Sequence, residues 1–314
     1  MNITFTSKKS VLGLLMLGLI SGTVVGQTTN PQITPELIAQ SEKGQLGIIA
    51  VPFWNQGFNA YINDSLPGSR VTMDILATRE GVQRRATVRI SHKFPKDSLL
   101  RLARIDFLAP QEVVGDVFII RLNEDDRRQF DVFFWNPDLV APLKVEGHFE
   151  VFGDASVFET MGLLVRSADG KYWVTHREFS DEVIDVPAPQ YTLNVRSLTG
   201  QVIGQVTKEA PLAKIVVEPI PARKESEPFP RIEVLAFLNG NLYEMRFMDA
   251  SGDRIHTHRY DWRKFDRVTS GTYATEYEIE NHLIPGNTTR MFIKGIEVVN
   301  LPLEFFDPKE LGGE

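Results

Sequence analysis

The chain has 314 residues, with 34 Lys or Arg against 41 Asp or Glu and therefore a formal net charge of −7 at pH 7. It contains no Cys, which excludes disulfide bonds, thiolate zinc sites, a cysteine nucleophile and lipid attachment through a cysteine. The acidic balance argues against nucleic acid as a partner, and an apolar content of 42% is too high for general disorder.

Residues 1–26 have the pattern of a secretory signal peptide. Two lysines precede the apolar run Val11–Val25, and small residues at Val24 and Gly26 provide a cleavage site. The run is shorter than the roughly 20 residues that a membrane-spanning helix needs. We therefore expect cleavage after Gly26 and a periplasmic product made of residues 27–314, with an uncleaved signal anchor as the alternative.

Few helices are predicted. The first begins after Thr34 or Asn30, and Pro35 with an acidic neighbour suits a helix N-terminus. It is expected to end where Gly44 and Gly47 break it. Two further short helical stretches are predicted at Asp97–Leu102 and at Pro308–Leu311.

Most of the remaining chain alternates polar and apolar residues with a period of two, which predicts β-strands. Hairpins are expected within 70–90, 113–135 and 232–262, where turn residues separate the alternating runs. Residues 218–231 contain several prolines and charges, and we interpret them as a long loop or a linker between two halves. Short strands with polar turns predict an antiparallel sheet or open barrel.

Two predicted strands carry apolar side chains on both faces. They are Phe130–Trp135 and Leu242–Met248. Both faces of such strands must be kept from water. Either ordinary core packing covers both faces, or one face borders an apolar cavity that binds an apolar ligand.

The sequence lacks the usual catalytic motifs, including G-x-S-x-G, H-E-x-x-H, the P-loop and the dinucleotide fingerprint. A metal-like cluster is formed by Asp253, His256, His258 and Asp261, since alternation places the two imidazoles on one strand face. A solvated polar face of a hairpin explains the same residues, and we favour that interpretation. We therefore expect no enzyme, no metal and no cofactor, with a His256/His258 enzyme as a minor alternative.

Several segments, taken in order, resemble the outer-membrane lipoprotein-sorting protein family, which is related to the carriers LolA and LolB. The resemblance begins near Ile33 and runs to Leu311. The segments are ITPELIAQ, RVTMDIL, LARIDFLAPQEVVGDVFII, FDVFFWNPDLVAPLKVEGHFEVFGDASV, RFMDASGDRIHTHRYDW and TTRMFIKGIEVVNLPLEFFDPKEL. The resemblance implies a mainly β fold, namely an unclosed antiparallel half-barrel around an apolar cavity with short lid helices.

The function that this resemblance implies is a periplasmic lipid or lipoprotein carrier, which shields acyl chains during outer-membrane lipoprotein sorting. Its partners would be acyl chains of lipoproteins or lipids, together with an inner-membrane transporter or an outer-membrane acceptor. The alternative is a periplasmic sensor or adaptor on the same scaffold that docks to a membrane protein complex. Strand faces give the candidate lipid-cavity residues, which are Met73, Ile75, Phe118, Phe133, Trp135, Phe149, Met245, Phe247 and Met291.

Overall fold

A computed structural model describes the residues on which the fold is built. They are 32–49, 68–93, 95, 100–123, 130–145, 150–153, 155–156, 172–225, 229–261, 265–268 and 271–311. The signal peptide predicted for residues 1–26 lies outside these ranges. No helix within them has both the length and the apolar character that crossing a membrane requires.

One α-helix and nineteen strands make up the regular structure of the described residues. The helix is α1 (Pro35–Ile48), and short 3-10 turns occur at Gln111–Val113, Pro221–Arg223, Glu304–Phe306 and Pro308–Glu310. The strands are β1 (Ser69–Arg79), β2 (Val82–Lys93), β3 (Leu100–Ala109), β4 (Val117–Asn123), β5 (Phe130–Trp135), β6 (Leu143–Val145), β7 (Glu150–Phe152), β8 (Ala155–Ser156), β9 (Tyr172–Phe179), β10 (Gln190–Arg196), β11 (Val202–Glu209), β12 (Leu212–Pro219), β13 (Arg231–Phe237), β14 (Leu242–Met248), β15 (Arg254–Tyr260), β16 (Phe265–Val268), β17 (Gly271–Ala274), β18 (Glu276–Asn281) and β19 (Thr288–Val298).

Helix α1 begins after Thr34, one of the two starts that the sequence predicts. Thr34 is its N-cap, and the Thr34 hydroxyl accepts a hydrogen bond from the Leu37 amide at 3.4 Å. The predicted end is wrong, because the helix continues through Gly44 and Gly47. It packs along β10, where Leu46 is buried, and this tertiary packing outweighs the low helix propensity of glycine.

Thirteen strands form one antiparallel sheet in the order β6-β5-β4-β3-β2-β1-β19-β18-β15-β14-β13-β12-β9. Two meanders therefore meet at the pairing of β1 with β19. Strands β6 and β9 end the order and do not pair with each other, so the sheet of the described strands is not closed into a barrel. The predicted fold class, mainly β with an unclosed antiparallel sheet, is confirmed.

The connections between strands decide one pair of alternatives and correct one prediction. Strands β12 and β13 pair directly with each other, so residues 218–231 connect neighbours in one sheet, as in the loop interpretation and not the linker interpretation. Leu100–Leu102 belong to β3 and not to a short helix. The predicted hairpin at 70–90 is confirmed, with Glu80 and Gly81 at positive φ values of 51° and 77° in its two-residue turn.

A buried carboxylate strengthens the junction of the two meanders. Asp74 on β1 accepts hydrogen bonds from Arg85 of β2 at 2.7 Å and from Thr87 at 2.6 Å, and Lys294 of β19 lies 2.8 Å away. Burial raises the pKa of Asp74, but the hydrogen bonds from Lys294, Thr87 and Arg85 outweigh it and lower the pKa to about 2. Asp74 therefore ties together three adjacent strands.

We expect Asp74→Asn to lower the free energy of unfolding by about 2 kcal/mol at pH 7. The neighbouring donors stabilise the charged carboxylate of the folded state, and asparagine carries no charge. The folded pKa lies below the unfolded value of about 4, so this stabilisation is complete above about pH 4 and is lost as the pH falls through about 2. Urea unfolding of the wild-type protein and of the Asp74→Asn variant, at pH values from about 2 to 7, measures the difference. The exposed Asp138→Asn is the control, and a difference for Asp74→Asn that stays constant with pH would contradict the assignment.

Candidate functional site

The two faces of the sheet are packed differently. One face, here called the inner face, carries a single continuous cluster of buried apolar side chains that extends across both meanders. Helix α1 adds Leu46 and Ile49 to it. Representative members on the sheet are Val71, Met73, Ile75, Val88, Ile90, Ile105, Phe118, Ile120, Val132, Ile215, Val234, Met245, Phe247, Ile279 and Met291.

The opposite, outer face carries three smaller clusters, each covered by a segment of the chain itself. The first lies under residues 184–188, the second under Leu301 and Phe306, and the third under Leu311. The sheet residues beneath these segments include Leu102, Val117, Ile119, Leu235, Phe237 and Tyr243. Described segments of the chain therefore cover the apolar residues of the outer face.

An ion pair and a hydrogen bond hold the first of these covering segments, together with Glu182 just before it, on the outer face. The Arg246 guanidinium donates to both carboxylate oxygens of Glu182, at 2.8 and 2.5 Å. The Tyr243 hydroxyl donates to Asp185 at 2.9 Å. The hydrogen bond with Arg246 lowers the pKa of Glu182, so the pair remains charged at neutral pH.

The structure places most of the sequence-predicted cavity residues on the inner face. Phe149 lies outside the described residues. Six of the other eight are members of the inner-face cluster, namely Met73, Ile75, Phe118, Met245, Phe247 and Met291. All six are buried, with exposures between 0% and 9%. Ile75 lines the pocket described below, whereas the other five pack within the apolar cluster and do not line it.

Phe133 and Trp135 lie instead on the outer face. They pack against Val117, Ile119 and Leu311, whereas Val132 and Phe134 of the same strand belong to the inner face. The alternation along β5 is as expected, but alternation alone does not determine which of its two sets faces inward.

A β-bulge changes the faces of β14 as well. Leu235 pairs with Glu244 and Ala236 with Leu242, so one residue of β14 is left without a partner in the register. As a result Leu242 and Met245 share the inner face, while Tyr243 packs on the outer face. The period of two predicted from the sequence is interrupted at this point.

A pocket of about 690 Å³ opens on the inner face at the end of the β1–β2 hairpin. Its apolar floor is formed by Ile75, Ala77, Ala86 and Phe107, and Pro110, Val113 and Gly153 line its sides. The remaining described lining residues, Arg79, Glu80, Val82, Arg84 and Arg85, belong to the hairpin end. The pocket therefore joins an apolar floor to a charged rim.

An aromatic row extends the apolar floor away from this pocket. The ring centroids of Phe107 and Phe118 are 6.0 Å apart, and those of Phe118 and Phe134 are 4.8 Å apart. These three rings lie on β3, β4 and β5, so the apolar surface continues across three strands toward the β6 edge.

The turn between β7 and β8 forms one side of the pocket. Gly153 has φ +59°, and a Cβ there would lie 2.4 Å from the Thr289 hydroxyl oxygen and 3.0 Å from the Ala77 Cβ. Ala77 and Thr289 are cross-strand partners on β1 and β19. Only glycine lets the turn approach the sheet this closely at that backbone angle.

A second cavity lies between α1 and the β10–β11 hairpin. Its volume is about 790 Å³, and its lining mixes polar side chains such as Gln40, Gln45 and Asn194 with apolar ones such as Ile48 and Leu193. This mixed lining fits an apolar ligand less well than the apolar floor of the inner-face pocket.

The proposed metal cluster does not form. His258 is buried, and its ring lies 4.7 Å from the ring of Phe247 on the inner face. Asp253, in contrast, is exposed in the turn before β15. Within the described ranges, no group of three or more His, Asp or Glu side chains is arranged to hold a metal ion. The expected solvated polar face is also wrong for His258, because packing against Phe247 buries it.

Some residues of the pocket and of the aromatic row beside it were not identified from the sequence. Phe107 and Phe134 were missed, although each alternates with the polar or outward residues of its strand. Arg79 and Arg84 were missed because charged residues next to a turn are common on solvated hairpins. All four residues lie on the same sheet face as Ile75. Recognising this shared face requires the register of the strands, which the sequence alone does not provide.

No protein-family model matches the chain, and no curated protein matches it. Solved structures do resemble it. An outer membrane lipoprotein-sorting protein domain from Vibrio parahaemolyticus is 15% identical with a TM-score of 0.54, and the match covers 88% of this chain and 97% of the other. A DUF1329 family protein from Desulfovibrio piger is 14% identical with a TM-score of 0.58, covering 88% and 96%. A LolA superfamily protein from Nitrosomonas europaea is 14% identical with a TM-score of 0.53, covering 83% and 98%.

The chain has a LolA-like fold. The match extends over nearly the full length of each of the three solved chains. The resemblance inferred from the sequence is confirmed as a likeness of fold.

We expect Gly153→Ala to lower the free energy of unfolding by about 2 kcal/mol more than Gly200→Ala does, because only the first places a methyl group against Thr289 and Ala77. Gly200 has a similar φ of +85° with open space around it, so this matched variant carries the backbone strain without the collision. Thermal and urea unfolding of the two variants measure the difference. Equal destabilisation would show that the turn does not rest on the sheet.

Proposed function

We propose that this protein binds and carries acyl chains in the inner-face pocket, as a carrier without catalytic chemistry. The observation that supports this most strongly is the pocket of about 690 Å³ whose floor of Ile75, Ala77, Ala86 and Phe107 continues into the apolar sheet face. Its volume lies in the range of about 300 to 1,000 Å³ that is typical of small-ligand sites.

The energetics of such binding require only burial. Each acyl CH₂ removed from water contributes about 0.8 kcal/mol, so a chain of ordinary length can be held without a covalent bond. The described chain covers the apolar patches of the outer face, where the space beside Asp185 and Tyr243 is only about 120 Å³. The inner face therefore offers the larger space to a ligand.

The cargo that we propose is the acylated end of a lipoprotein or a free lipid. The likeness to a protein domain named for outer membrane lipoprotein sorting supports this choice. In that role the protein would collect its cargo from an inner-membrane transporter and deliver it to an outer-membrane acceptor.

The proposed place of action is the periplasm, with residues 1–26 serving as the export signal. We expect intact-mass measurement of protein recovered from the periplasm to give the mass of residues 27–314 alone. Cleavage lowers the positive charge because it removes two lysines, so the mature form will also have a lower isoelectric point. A membrane-bound product of full-length mass would indicate the signal-anchor alternative.

Substitution in the pocket floor tests acyl-chain binding. We expect Phe107→Ala to weaken binding of a fluorescent fatty acid about tenfold, because it removes apolar contact area from the floor. The matched control is Phe133→Ala, since Phe133 is also half-buried but lies on the outer face. Fluorescence titration of the purified chain measures both.

The Phe133→Ala variant also tests the sequence prediction, which assigned Phe133 to the cavity. An equal loss of binding in both variants would show that the ligand does not bind specifically on the inner face. If the wild-type protein binds no fatty acid and carries no lipid on extraction, the carrier function is wrong, and the adaptor function becomes the better explanation.

A further inference from the structure

The β10–β11 hairpin stands apart from the large sheet and has an open edge. In the described part of the chain, β10 pairs with β11 alone. The other edge of β10 borders the cavity of about 790 Å³ beside α1, here called the α1–β10 groove. A strand edge without a partner presents backbone amides and carbonyls that can pair with another strand.

The register of the hairpin shows which backbone groups point into this groove. The Ala210 amide donates to the Pro189 carbonyl at 2.9 Å. Hydrogen-bonded pairs recur at every second residue of an antiparallel hairpin, so Leu193 directs its backbone groups toward β11. Thr192 and Asn194, which both line the groove, direct theirs away from β11.

A hydrogen bond at one end of the groove supports this direction. The Arg196 amide, which follows the same alternation, donates to Ser41 Oγ of α1 at 2.9 Å. Helix α1 therefore already occupies one outward position of the β10 edge. The backbone groups of Thr192 and Asn194 are the next outward positions, and no strand in the described ranges pairs with them.

A glycine in α1 keeps the opposite wall of the groove open. Gly44 lines the groove, and a Cβ at this position would meet nothing within 4 Å. Glycine lowers the stability of a helix interior, and here no neighbouring atom requires it. Its effect is to leave space between the helix and the strand edge.

The side chains of the groove suit a peptide with apolar and acidic residues. Neutral hydrogen-bonding groups such as Gln40 and Gln45 lie near two apolar side chains, Ile48 and Leu198. These two are exposed, at 73% and 82%. Arg196 is the one charged side chain among the described lining residues, so charge complementarity favours an acidic occupant.

We propose that the α1–β10 groove binds an extended acidic peptide of a partner protein, which adds to the open edge of β10 as a further strand. Such recognition takes its affinity from main-chain hydrogen bonds and its selectivity from contacts with alternate side chains. Thr192 and Asn194 provide the main-chain groups, and the exposed apolar side chains of the lining provide the contacts.

A free peptide fits this edge better than a second copy of the chain does. In a second copy, α1 would border the same edge of β10, so two folded chains would bring two helices to one junction. The proposal is also independent of acyl-chain binding, because the groove and the inner-face pocket share no described lining residue.

Two labelled peptides of opposite charge test the proposal. They are fluorescein-DTVSVEVTD-amide and fluorescein-KTVSVKVTK-amide, which share the same alternating valines. Each is titrated with the purified chain, and fluorescence anisotropy measures binding. We expect the acidic peptide to bind about threefold more tightly, as one exposed ion pair with Arg196 would provide.

Filling the groove from the helix side should block the acidic peptide. We expect Gly44→Phe to weaken its binding at least about tenfold, because the ring occupies the space beside the strand edge. The matched control is Gly47→Phe, which also enters open space on α1 but does not line the groove. It should keep the affinity within about twofold, and both changes raise the helix propensity.

A second pair of variants tests the strand edge itself. Thr192 and Thr207 are cross-strand partners whose hydroxyls lie 3.3 Å apart, so replacing either with proline removes the same contact and one outward amide. Proline is tolerated where the amide makes no ladder hydrogen bond. Only Thr192 lines the groove, and we expect Thr192→Pro to weaken peptide binding about tenfold while Thr207→Pro leaves it unchanged.

Each outcome decides between the alternatives. Binding of neither peptide overturns the proposal, as does an equal loss within either pair of variants. Tighter binding of the lysine peptide overturns the acidic assignment. Weaker fatty-acid binding in Gly44→Phe would assign the groove to lipid, and a dimer that Gly44→Phe dissociates would assign it to a second copy. Peptide binding without fatty-acid binding overturns the carrier function alone.

Discussion

The pairing of β1 with β19 holds the sheet together, because it is the one place where the two meanders of the described sheet meet. Ten residues of β1 take part, from Ser69 to Thr78. Asp74 reinforces this pairing from the outer face, and the amide of Glu80 donates to Asn287 at 2.9 Å, 207 residues away along the chain. The pocket depends on the same junction, since Ala77 and its β19 partner Thr289 support the turn at Gly153.

The difference between the two faces gives the sheet its functional character. On the outer face, ion pairs and short segments of the chain cover the apolar side chains, as Arg246 and Glu182 do for the segment after β9. On the inner face the apolar cluster is continuous, and beside it lies space bounded by Phe107 and Gly153. A sheet that is covered by its own chain on one side and has a pocket on the other can hold a ligand without rearranging its core.

Much of the fold was predictable from local patterns. The hairpin turn at Glu80 and Gly81, the start of α1 after Thr34 and the successive strands all follow from turn chemistry, capping and alternation. The length of α1 was not predictable, because packing on β10 stabilises the helix through Gly44 and Gly47. The inner face could be predicted where strands are regular, as at Met73 and Ile75, but not at β5, where both residue sets are apolar, nor at β14, where a bulge interrupts the alternation. The rim arginines required the register between β1 and β2.

The position of β19 beside β1 also constrains the order in which the chain folds. Strands β1 to β6 are synthesised first, and β19 is the last strand of the described sheet. Until β19 arrives, β1 presents an unpaired row of backbone amides and carbonyls, and such open edges associate with other chains. Pairing across so long a separation is slow because loop closure costs entropy before any contact forms. A nascent or truncated chain that lacks β19 will therefore be prone to aggregation, and its productive folding will depend on protection of that edge.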